Sequence, residues 1–413
     1  MTLSFSYKLV FKKGMLSKNT LFTITTRILI LLCNFALVVL STRLFGSEGR
    51  GVISLVIANI SIIIIFSNTV SGSTVIYHSS KIPNGQLLLF ALGGIVGFSV
   101  LGSVFFSFLH GFSWMSHLLV ISILMALNSF LAFYWLGKEQ IIHYNLITLA
   151  GPALTISLLI IGYFLFSSLN TEYYFYAYYI AYFLVFVFGF VVFLKQNKIT
   201  KMIWDRFFFK KLILYGFENE FNYLIQFLNY RLSYYFISAI LGLSSLGLFS
   251  VSIAVMESIW VISKSLSALH FSKVVNTPNT KDNISATRYQ ARISLFLSTL
   301  LVIILFLVPS SFFGYVFGAE FTEAKKYAVL LSPGILFIAF SNLYGHYFTG
   351  VGKLKILRQK SFIGLVATII LLPPLVYYQG IIGACISINV SYILSSLYLY
   401  FKFEKEASDL VKK

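Results

Sequence analysis

Charge is scarce in this chain. Only 11% of its 413 residues are Asp, Glu, Lys or Arg, and only 13 residues are acidic. A soluble domain covers its surface with about a quarter charged residues, so a water-facing globular fold is excluded. Cysteine is nearly missing: Cys33 and Cys385 both lie in apolar runs, which gives no disulfide framework, and no Cys/His spacing resembles a zinc site. The nearest Gly-Lys pair, Gly352-Lys353, lacks both the Gly five residues before it and the following Ser or Thr, so there is no Walker A and ATP is not the motor. The first apolar stretch has no small-residue cleavage site and is too long for a signal-peptide core, so it is expected to be retained.

Apolar surface is what the chain has. Hydrophobic residues make up 58%, aromatics 18%, and the mean hydropathy is +0.87. The solvent that fits this surface is lipid, and the expected class is an all-α polytopic membrane protein. A helix crosses the hydrocarbon core in about 20 residues at 1.5 Å each. Twelve such runs can be read, at 21–42, 52–77, 87–109, 116–136, 146–167, 173–194, 213–241, 246–269, 293–316, 327–349, 361–378 and 380–401. Charges interrupt the seventh and eighth, and only Gln379-Gly380 separates the last two.

The net charge of +18 would suggest nucleic acid in a soluble domain. Here the basic residues lie between apolar runs, where they orient the chain. With both ends cytoplasmic, 24 of the 31 Lys and Arg fall in inner loops and tails, and only Arg43, Arg50, Lys325 and Lys326 lie outside. The Tyr-rich stretch 173–179 reads as an interfacial belt.

The basic segment 195–211 divides the chain into a six-span lobe (1–194) and a second one (212–413). A repeat crosses that boundary. Gly46, Gly51, Ser54 and Ala58 recur, at a constant offset of 196, as Gly242, Gly247, Ser250 and Ala254. Spans one and seven share orientation, so the repeat is parallel, with its pseudo-two-fold axis along the membrane normal. Two lobes related in this way leave a cleft between them, the architecture of an alternating-access carrier.

Six ionisable residues fall inside spans: Arg27, Glu218, Glu220, Arg231, Glu257 and Lys264. Each costs about 2.5–3.5 kcal/mol on insertion scales at the bilayer centre, so each needs water, a partner or a ligand. Arg231 and Glu257 sit at similar depth on adjacent antiparallel helices and can pair. Glu257 and Lys264 share a helix face. Arg27 and Glu220 are expected at similar depth if spans one and seven face each other, and Glu218 lies on the opposite face from Glu220, near the cytoplasmic end. One reading makes these residues ion pairs or snorkelling groups that lock helices. The other lines a hydrated cavity with them: Arg27 and Arg231 hold an anionic group, while Glu220, Glu257 and Lys264 counter the charge or sense ions. Arginine suits phosphate because its fork is bidentate and permanently charged.

Arg27 in the first span, followed by Arg43, Gly46, Gly49, Gly51 and Val52 at the outer turn, resembles the Wzx-type O-antigen or polysaccharide flippases of the MOP superfamily. The resemblance implies a V-shaped two-lobed carrier in the bacterial cytoplasmic membrane. Its cargo would be an undecaprenyl-pyrophosphate-linked oligosaccharide. By position Arg50 would join Arg27 at the pyrophosphate, and Arg43, Gly46, Gly51, Gly242 and Gly247 would form the gating turns. It further implies a monomer working beside polysaccharide polymerase machinery, with no cofactor and no nucleic acid, and with H⁺ or Na⁺ coupling resting on Glu220 and Glu257. The alternatives are a multidrug or cation antiporter of the same superfamily, which would want an acidic cavity, and a non-transporting membrane scaffold.

Overall fold

The computed structural model describes residues 18–166, 168–197, 206–276 and 280–411. The N-terminal lysines Lys8, Lys12 and Lys13, residues 198–205 of the basic linker and Lys412–Lys413 lie outside the described residues. The described chain is helical throughout: α1 (Lys18–Ser71), α2 (Ser73–His78), α3 (Asn84–His110), α4 (Met115–Gly137), α5 (Ile141–Leu165) and α6 (Thr171–Gln196), then α7 (Arg206–Leu241), α8 (Leu243–Asn276), α9 (Thr280–Leu307), α10 (Ser310–Phe317), α11 (Ala324–Gly350) and α12 (Leu354–Val411). Helix is the backbone state that satisfies its own N–H and C=O groups where no water can.

Among the described residues, nine helices are long and apolar enough to cross a membrane. Two of them have 54 and 56 residues, more than twice the ~20 needed to cross once. Each of these bends back at a glycine with positive φ, Gly46 (φ 66°) in α1 and Gly380 (φ 61°) in α12, a conformation that a Cβ would strain. α7 has 36 residues but carries Lys210, Lys211, Glu218, Glu220 and Arg231, which keeps it out of a count made on hydropathy. Two expected spans are interrupted. The second breaks at Gly72, before α2, and the ninth breaks at Pro309, where the missing N–H ends α9 and α10 begins.

Large apolar side chains point outward around the bundle, among them Phe108, Phe164 and Phe188, each more than 70% exposed. Such a belt fits acyl chains. The interior is joined by small residues and hydroxyls. Ser263 of α8 and Ser294 of α9 both donate to the Ala339 carbonyl of α11, at 2.8 and 2.9 Å, and Ser252 donates to Ala324 at 2.8 Å. Interhelical bonds of this type hold bundles that have no hydrophobic drive between helices. The glycines of α3 do not all pack closely: Gly94 and Gly102 meet Val70 and Ile63, while Gly97 faces open space.

Helices α3–α6 pack on one another and on α1, and α9, α11 and α12 pack with α7 and α8. The two groups meet where α1 and α2 lie against α7 and α8. The end of α12 docks on its own group through the bidentate Arg288–Glu404 pair (3.1 and 2.5 Å) and Lys353–Glu406 (2.8 Å). Both basic partners are substantially exposed. Arg288→Ala is therefore expected to cost less than about 1 kcal/mol in a denaturant or thermal melt.

Candidate functional site

α7 and α8 are consecutive helices reversed at Gly242, whose φ of 86° permits the turn. Arg231 lies before that turn and Glu257 after it, so the reversal sets them side by side. One guanidinium nitrogen, Nη2, reaches both carboxylate oxygens, at 2.8 Å (Oε1) and 3.0 Å (Oε2). The pair keeps contact with the exterior, with 23% and 34% of the two side chains accessible. The Arg231 guanidinium also stands 5.0 Å from the Tyr234 ring. Two turns along from Glu257, Lys264 does not reach its carboxylate. Its Nζ lies 3.9 Å from the Trp260 ring, a cation–π contact. Tyr230 packs edge-on against Trp260 (5.1 Å) and Tyr392 (5.7 Å). A small cavity opens beside Glu257, Trp260, Leu331 and Tyr392.

Arg50 sits at the junction of the two groups. Its Nε donates to Ser250 of α8 at 3.1 Å and its Nη1 to Ser41 at 3.0 Å. These are neutral partners, and no carboxylate lies within ion-pairing distance among the described residues. Arg27 is exposed on α1, with no hydrogen bond or ion pair to any described residue. Arg27 and Glu220, expected at similar depth, make no contact with each other. Glu220 turns instead to the break between α1 and α2, where its Oε1 lies against Gly72, and it is 6% exposed. Glu218 is exposed on the other face of α7.

The glycine turns form a second constellation. A Cβ on Gly51 would land on the carbonyl oxygen of Leu243, and one on Gly247 would land on the carbonyl oxygen of Ser47. Both pairs of equivalent positions, 47 with 243 and 51 with 247, are separated by the same 196 residues. The contact is therefore reciprocal, as across a two-fold axis. Around it, Arg43 Nε donates to the Val316 carbonyl at 3.0 Å, and the Ser47 N–H donates to Glu320 Oε2 at 2.8 Å. Gly46 breaks the helix and frees that N–H, and Glu320 satisfies it as a capping carboxylate would. Nothing in the sequence pointed to Glu320 or Ser47: the contact joins residues 273 apart and carries no periodicity.

No protein-family model and no curated protein matches the chain. Solved structures do. An inward-facing multidrug resistance MATE family transporter of the MOP superfamily superposes with a TM-score of 0.67 at 13% identity, covering 95% of this chain and 99% of that one. The lipid II flippase MurJ in an inward closed conformation gives 0.68 at 15% identity, covering 94% and 87%. An outward-facing MATE transporter gives 0.61 at 14%, covering 96% and 95%. The chain is a multi-pass membrane protein with the fold of MOP-superfamily transporters.

Proposed function

We propose that the chain is a flippase of the polysaccharide-exporting kind, turning a polyprenyl-pyrophosphate-linked oligosaccharide such as an O-antigen repeat unit across the bacterial cytoplasmic membrane. The observation that carries this reading is the sign of the unmatched charge. Among the described residues one acid–base pair, Arg231–Glu257, forms in the membrane-embedded part. Among the described residues Arg27, Arg50 and Lys264 have no acid within ion-pairing distance, against the one buried carboxylate of Glu220. A surplus of intramembrane cations suits an anionic headgroup and disfavours a cationic drug. A diphosphate cannot cross hydrocarbon unaided, whereas a polyprenyl tail is at home there, and a basic cleft open to lipid serves both.

In this reading twelve crossings form two lobes, with both termini cytoplasmic. The reciprocal Gly51–Leu243 and Gly247–Ser47 contacts support a pseudo-two-fold relation between the lobes. Arg27, Arg231 and Arg50 hold the pyrophosphate, Arg50 after exchanging its serine partners for phosphate oxygens. Glu257 keeps Arg231 oriented until the ligand arrives. The glycine turns with Arg43 close the outer side, and Glu220 and Glu257 serve ion coupling.

Reconstitution with a fluorescent lipid-linked oligosaccharide tests the reading. Wild type is expected to flip it, and Arg27→Ala with Arg231→Ala is expected to reduce the initial rate at least about 100-fold, the equivalent of about 2.7 kcal/mol of lost headgroup binding. No flipping by wild type, or an undiminished rate in the double variant, refutes it. Uptake of an organic cation in its place would make the chain an antiporter.

A further inference from the structure

Three polar side chains gather at the junction of the two helix groups with nothing to bond. Asn59, in the second leg of α1, is fully buried, and neither its amide nitrogen nor its amide oxygen has a hydrogen-bond partner. The Tyr235 hydroxyl of α7 and Nε2 of His110, at the end of α3, are also buried without one. Buried polar groups in folded proteins are nearly always paired, so three orphans in one place call for a reason.

The helix register brings them together. Ile63 meets Gly102 and Val70 meets Gly94, so α3 runs antiparallel to the second leg of α1. Four residues back from Ile63 is Asn59, and four on from Gly102 is Phe106, which sets these two at one level. Tyr235 covers that level from the other group. Its ring stacks on Phe106 (6.5 Å, 17°) and on His110 (6.2 Å, 24°). Around α1, Asn59 falls between Leu55 and Ala58, part of the core shared with the second group, and Val56 and Ile60, part of the core of the first. Tyr235 packs against both cores. After Gly111 the chain turns back, and the Trp114 ring comes to 6.3 Å from that of His110.

The chemistry of this set is neither that of an ion site nor that of a lipid tail. An amide offers donors and an acceptor, a phenol one of each, and a neutral imidazole nitrogen one or the other; none carries a permanent charge. Mixed donors and acceptors set against aromatic rings suit a molecule with an apolar face and a rim of hydroxyls, which describes a sugar ring. Arg231 stands one helical turn before Tyr235, about 6 Å along α7, the step from a phosphate to the ring that it carries.

We propose that Asn59, His110 and Tyr235, walled by Phe106 and Trp114, bind an uncharged sugar ring, the one joined directly to the pyrophosphate of the cargo. The closed junction leaves the three groups unanswered, and sugar hydroxyls answer them when the helix groups part. The inference rests on the flippase reading and adds what the arginines do not supply, since a guanidinium reads the phosphate and not the sugar.

The test measures a difference. Protein in nanodiscs is titrated with farnesyl diphosphate and with its glucosyl, galactosyl and N-acetylglucosaminyl esters, binding being read by microscale thermophoresis. Wild type is expected to bind at least one ester at least about tenfold more tightly than the bare diphosphate. Tyr235→Phe keeps the stacked ring and Asn59→Leu the approximate shape. Each removes an orphaned group, so neither is expected to lower the melting temperature. Both are expected to shrink the sugar preference to about twofold or less, with affinity for farnesyl diphosphate unmoved. Should one variant not fold, the other carries the comparison. A wild type with no preference for any ester overturns the proposal. So does a preference that survives in both variants, which leaves the three groups to buried water, and so does an equal loss of diphosphate binding, the mark of a general packing role. A sugar preference in a protein whose diphosphate affinity ignores Arg231→Ala removes only the pyrophosphate assignment. Diphosphate bound through Arg231 with no sugar preference removes only the sugar subsite.

Discussion

Arg231→Ala is expected to slow flipping about 100-fold, while Arg231→Ala with Glu257→Ala recovers stability but not transport. The single substitution leaves Glu257 half-buried without its partner. The full cost of orphaning a buried charge is about 3–5 kcal/mol, and the 23% and 34% exposure of the pair lowers it to about 2 kcal/mol here. Removing both charges relieves that cost, because a small apolar pair is tolerated where an unmatched ion is not. Transport should remain down about 100-fold in both variants, since the pyrophosphate loses its guanidinium either way. A double variant that regains transport would reduce the pair to a helix clamp. Arg231→Lys keeps the charge and loses the fork, so an intermediate rate is expected. Thermal melts beside initial flipping rates separate the two quantities.

The second large effect belongs to the glycine crossing. Gly51→Val and Gly247→Val should each prevent α1 and α8 from closing, because the new side chain meets a carbonyl oxygen rather than a movable side chain. Flipping is expected to fall about 100-fold, with faster hydrogen exchange at the Ser47 amide, whose bond to Glu320 is lost. Reciprocity makes the sharper demand: the two substitutions must give the same phenotype, since each position faces the partner of the other. A large difference between them would sink the two-fold arrangement. Gly97→Ala is the control, with nothing within 4 Å of the added methyl; it should be neutral or stabilising by up to about 1 kcal/mol from helix propensity alone.

Much of this was legible in the sequence because it is carried by period and spacing. Apolar runs of helical length gave the class, and a constant offset of 196 marked glycines that in space meet across the junction. Arg231 and Glu257 could be paired in advance because a reversal at Gly242 leaves few alternatives for their depth. Contacts between distant segments left no such trace. Arg50 read only as an outer-turn cation, and the serines that hold it, Ser250 and Ser41, could not be named. Glu220 faces Gly72, a contact that no spacing marked, because α7 lies along the second leg of α1 at this end. The breaks at Gly72 and Pro309 lie inside expected spans, since hydropathy averaged over a run does not register where a backbone bends.

The links around the glycine turns have a consequence for the surroundings in which this protein can work. Arg43 grips a neutral carbonyl and Glu320 a neutral amide, so neither contact joins opposite charges. Mobile ions, which mask attraction between exposed charges over about 10 Å at 0.1 M, have little there to weaken. Closure on that face should hold equally in dilute and concentrated electrolyte, keeping the barrier sealed through osmotic swings that would loosen a clasp built from ion pairs.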